Sequence, residues 1–145
     1  MQAIDAKIAD IPDAVATQTL FDGERLAIMK FTNISDGTGE AAVVKVDVST
    51  LTASSFGKAC DGVTIVKIHA FTHGMEVDML WDATADVVIA TIPQNTMYSM
   101  DLTQFGGFWN NAGAGKNGDV LFTTRDASAG DTYTIVLEMV KSYAD

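Results

Sequence analysis

From about residue 24 onward, apolar side chains recur at every second position, the period of a strand with one buried face, and helical spacing is almost absent. In residues 75–82, Met75, Val77, Met79 and Trp81 alternate with Glu76, Asp78, Leu80 and Asp82. In residues 131–141, Tyr133, Ile135, Leu137 and Met139 face one way, with Thr132, Thr134, Val136 and Glu138 opposite. Residues 24–33 alternate Leu26, Ile28 and Lys30 with Ala27, Met29 and Phe31, and Asp36-Gly37-Thr38-Gly39 then supplies a turn. Residues 42–48 put Val44, Val46 and Val48 on one face and Val43, Lys45 and Asp47 on the other. The β-branched run 62–71 suits a central strand, joined to 75–82 by a turn at His73-Gly74. Further strands are expected at 87–92, 96–102 and 118–125.

About eight strands separated by turn signals, without interleaved helices, predict an all-β protein: a two-sheet β-sandwich or jelly roll. The expected layout is an extended N-terminal arm over 1–22 and a β-sandwich domain over 23–145. The arm fits neither period well, and an edge strand or a short helix at 13–17 is an alternative for part of it. Val43-Val44 and Val87-Val88-Ile89-Ala90 place apolar groups on both faces, more than a solitary sandwich with wet outer faces needs. That surplus, beside strong acidity, points to an oligomer.

The chain has 145 residues, enough for one core, with 9 basic against 19 acidic residues and a formal charge of -10. Such a balance repels phosphates and anionic head groups, and the basic residues are scattered, so neither nucleic acid nor membrane is an expected partner. The single Cys60 has no partner for an intrachain disulfide and reads as a buried apolar thiol. Residues 1–7 lack the basic start and apolar run of a signal peptide, so the expected site of assembly is a cytosol.

No catalytic or cofactor constellation is legible. His69 and His73 in one strand would stand ~13 Å apart, too far to share a metal. A P-loop requires Gly five residues before its Gly-Lys pair and a hydroxyl residue after it; around Gly115-Lys116 the chain has Asn110 and Asn117 there. The acidic pairs Asp36/Glu40 and Asp126/Asp131 lack the register of a calcium loop. The most unusual stretch is 106–116, where glycines permit close approach to another surface and Phe108 and Trp109 are large anchors. Expected partner contacts are therefore Phe108, Trp109, Asn110, Asn111 and Lys116 in this loop, with Ile4, Ile8, Ile11 and Pro12 in the arm. A carbohydrate-recognition module with Trp81, Trp109 or Tyr98 as stacking platforms is the competing expectation.

At Lys45-Val46-Asp47-Val48, Gly74-Met75-Glu76-Val77, Leu80-Trp81-Asp82-Ala83-Thr84, the run 110–119 and Gly130-Asp131-Thr132-Tyr133-Thr134-Ile135-Val136-Leu137-Glu138, the chain resembles small virion structural proteins of tailed bacteriophages. The resemblance covers roughly residues 31–141 and consists of short phrases without a diagnostic motif. It implies a non-enzymatic capsid decoration, or cement, protein that sits on the capsid exterior as a homotrimer or other homo-oligomer. Its implied partners are the major capsid protein and further copies of itself, with no cofactor. Neck, tail and head-fibre components share the texture and belong with the recognition-module alternative.

Overall fold

The computed structural model describes residues 15–144. Among these residues nine strands form two antiparallel sheets stacked as a β-sandwich. They are β1 (Val15–Asp22), β2 (Leu26–Ile34), β3 (Val43–Val46), β4 (Cys60–His73), β5 (Glu76–Trp81), β6 (Val87–Ile92), β7 (Met97–Asp101), β8 (Val120–Arg125) and β9 (Thr132–Tyr143). One sheet has the order β1-β2-β9-β4-β7 and the other β3-β8-β5-β6. Between them Phe122 of β8 meets Phe31 of β2 at 5.2 Å and Tyr133 of β9 at 5.9 Å, both edge to face, so aromatic quadrupoles join the layers.

The clearest period-two segments are the strands they promised to be. Met75, Val77, Met79 and Trp81 are all buried, as are Tyr133, Ile135, Leu137 and Met139. The β4–β5 turn is made at Gly74, whose φ of 84° is open to glycine at little steric cost. Two strands break the simple alternation, each at a bulge. In β4 both Ile65 and Ile68 reach the core although they are three residues apart, because the register shifts between Ile65 and Lys67 and one extra residue restores the inward frame. In β3 a shift between Val44 and Val46 buries Lys45 and Val46 together, which corrects the expected alternation of that segment.

Val15–Asp22, expected within the arm, is an edge strand: it pairs with β2 from Val15↔Asn33 to Asp22↔Ala27 and brings the strand number from about eight to nine. Its side chains are mostly exposed because it lies at the sheet's margin, which is why no alternation marks it. Residues 1–14, with Ile4, Ile8, Ile11 and Pro12, lie outside the described residues.

Two lysines among the described residues are buried, and each is held by a carboxylate. Lys45 Nζ lies 2.5 Å from Glu40, whose Oε1 also accepts from Tyr133 Oη at 2.6 Å and Asn33 Nδ2 at 3.0 Å. Lys141 Nζ, with a side chain 0% exposed, lies 2.6 Å from Asp22 and donates to the carbonyls of Gly23 and Thr52 at 2.9 and 2.7 Å. Through Tyr133 and Lys141 these two clusters fasten the loop before β3 and the end of β1 to the central strand β9.

Candidate functional site

The stretch that stood out in the sequence forms a rigid wall at one end of the sandwich. It starts after β7, where Asp101 accepts from the amide and hydroxyl of Thr103 at 2.9 and 2.6 Å and fixes a single 3-10 turn, Thr103–Phe105. Those two hydrogen bonds hold the Asp101 carboxyl below its usual range, so a negative charge stands at the start of the wall. Gly107 then takes φ 91°, and a Cβ there would stand 2.8 Å from the Ile65 carbonyl oxygen, so only glycine lets the wall approach β4 this closely. Next, Phe108 and Ile65 exchange both backbone hydrogen bonds at 2.8 and 3.0 Å. The wall is in effect a one-residue strand added to β4.

Once Phe108 is fixed, the side chains that follow alternate between two clefts. Trp109 and Asn111 line an apolar groove of about 290 Å³ with Phe105, Phe108 and, from β6, Val88 and Ile89. Trp109 is 64% exposed on its rim and Val88 57% exposed. The Phe105 and Phe108 rings are 5.8 Å apart. Asn110 turns the other way, into a polar cleft of about 550 Å³ shared with Asp61, Thr64, Lys116, Asn117 and Ser142. Asn110 Oδ1 accepts from the Ala112 amide at 3.0 Å, while Asn117 donates to Asp82 at 2.9 Å and accepts from the Asp119 amide at 3.0 Å. Residues 113–118 lead straight into β8, so no helix dipole faces them.

All five loop residues expected to contact a partner thus belong to one wall, with Phe108, Trp109 and Asn111 on the apolar side and Asn110 and Lys116 on the polar side. The expected sugar platforms fare differently. Trp81 is 1% exposed and belongs to the core behind the groove, and Tyr98 is half-buried with its hydroxyl 3.4 Å from Met100 Sδ. Both are corrected as stacking platforms, which leaves Trp109. His69 and His73 both lie in β4, and His69 Nδ1 is 2.9 Å from Ser99 Oγ.

No protein-family model matches this chain, and no curated protein is similar to it in sequence. The site is therefore read from its own chemistry: an uncharged, aromatic-walled groove on a rigid frame, suited to receiving an apolar side chain or the flat face of a ring.

One prominent surface residue had no sequence-based role. Phe56 is 89% exposed at the tip of a tight turn, with Ser54 N donating to Lys58 O at 2.8 Å and Gly57 N to Ser54 O at 2.9 Å. The turn is pinned to the β1–β2 connection, because Ser55 N donates to the Glu24 carboxylate at 2.9 Å and Thr52 N to Asp22 at 2.8 Å. The available signal was a large aromatic amid small turn formers, Ser54-Ser55-Phe56-Gly57-Lys58.

Proposed function

We propose that this protein is a non-enzymatic structural module that assembles with copies of itself and seats on a larger protein surface, in the role of a capsid decoration protein on a tailed-bacteriophage head. The observation that carries the reading is the apolar groove, where exposed Phe105, Trp109 and Val88 surround a slot with no charged lining residue on a chain of net charge -10. Aromatic anchors on a rigid frame are the usual centres of protein interfaces, and leaving them in water forgoes the burial energy they offer. Exposed Val43 and Val44 at the β3 edge extend the apolar surface, and repetition on a lattice multiplies weak contacts. The virion setting rests on the resemblance described above.

Purified full-length protein mixed with undecorated phage heads is expected to bind saturably, with stoichiometric occupancy visible by electron microscopy. Absence of binding under native conditions would remove the capsid role. A second reading, oligosaccharide recognition, is favoured by Trp109, which is 64% exposed on the rim of the apolar groove. A saturable change in Trp109 emission with neutral oligosaccharides is its expected mark.

A further inference from the structure

We infer that copies of this chain join head to tail, the Phe56 side chain of one entering the groove between β6 and the 105–111 wall of the next. The inference rests on the self-assembly reading above and names the two surfaces that carry it.

Phe56 is the most exposed of the large apolar residues described, yet its turn is anything but loose: five backbone and side-chain hydrogen bonds hold it. A phenyl ring kept in water on a fixed backbone has already lost much of the freedom that docking would cost. The groove is uncharged and, at about 290 Å³, roomy enough for one ring, with the Phe105 and Phe108 rings on its wall to receive it.

Knob and groove lie at opposite margins of the sandwich. The knob is tied to the β1–β2 end, and β1 is one edge of the five-stranded sheet; the groove lies beyond β7, the other edge, and against β6, the edge of the second sheet. Phe56 so placed serves the groove of another copy, a heterologous contact that passes from copy to copy until a ring closes. Charge does not oppose the contact at its centre, since the groove has no charged lining residue and the ring that enters it is neutral.

The test is sedimentation of the full-length chain over a concentration series, with acrylamide quenching as a second readout. Because Trp81 is buried, quenching reports on Trp109. The wild type should form oligomers in which Trp109 is shielded. Phe56→Ala and Val88→Lys, both at exposed positions, should keep the wild-type thermal midpoint but raise the dissociation constant at least about thirtyfold, as expected for loss of an interface hot spot. Mixed together, the two variants retain one intact knob and one intact groove and should form a 1:1 pair that grows no further. If Phe56→Ala assembles like the wild type, or the mixture stays monomeric, the knob-in-groove contact is wrong while the self-assembly reading survives. A wild type that is monomeric at all concentrations removes both.

Discussion

Replacing Glu40 with Gln should destabilise the fold by about 3–5 kcal/mol, read as a lowered urea midpoint at pH 7. Three donors converge on this carboxylate, from Lys45, Tyr133 and Asn33, and the Lys45 and Glu40 side chains are nearly out of solvent. An amide keeps the shape but removes the countercharge, leaving the Lys45 ammonium buried against a neutral group. A double replacement, Glu40→Leu with Lys45→Met, should recover part of the loss, since no charge is then stranded while the Tyr133 and Asn33 donors still lack their acceptor. The same cluster sets an alkaline limit. Burial, followed by the neighbouring Glu40 carboxylate, pushes the Tyr133 phenol well above its usual range. The folded chain therefore keeps a proton that the unfolded chain releases. This contribution is whole below the ordinary tyrosine pKa of about 10 and is lost as pH rises beyond it. The urea midpoint should fall from there upward, and Tyr133→Phe should flatten that limb.

Asp22→Asn should cost a similar amount, about 3–5 kcal/mol, because the Lys141 ammonium, whose side chain is closed to water, would be left with neutral acceptors and no countercharge. Burial pushes the Asp22 carboxyl up, but hydrogen bonds from Lys141 and Thr52 outweigh it and leave it below its usual value. The pair's contribution is thus present above the ordinary aspartate pKa of about 3.9 and disappears as pH falls through the lowered one. An acid titration of stability should show a drop in that window which Asp22→Asn lacks. With its remaining oxygen turned to the Lys141 ammonium, the asparagine presents an NH2 group to the Thr52 amide, so hydrogen exchange should quicken at Thr52 and in the neighbouring turn that carries Phe56.

Where one face of a strand is buried and the other wet, its identity and inward frame could be read directly. Met75 to Trp81 and Tyr133 to Met139 are such cases, and Val87–Ile92 has the bounds expected of it. The reading failed where tertiary context overrides alternation. β1 is exposed on both faces, so nothing in Val15–Asp22 distinguishes an edge strand from an arm. Plain alternation puts Lys45 on the face opposite Val46, because its partner Glu40 lies in the preceding loop and the bulge that buries both leaves no mark in the sequence. Lys141 and Asp22 are 119 residues apart and could not be matched by spacing. At the candidate site, glycines beside two aromatics were signal enough to single out the wall. That consecutive side chains serve two different clefts followed only from the Phe108–Ile65 backbone pairing.

The strand order also bears on how the molecule is made. β9 occupies the middle of the five-stranded sheet, between β2 and β4, although it comes after all eight other strands in the chain. While the polypeptide is emerging from a ribosome, β2 and β4 have no neighbour to bridge them, and Asp22 waits for Lys141. Closure of this sheet is therefore a late event that depends on contacts distant along the chain, the kind of topology that folds slowly and leaves apolar strands in need of chaperone protection until the last one arrives.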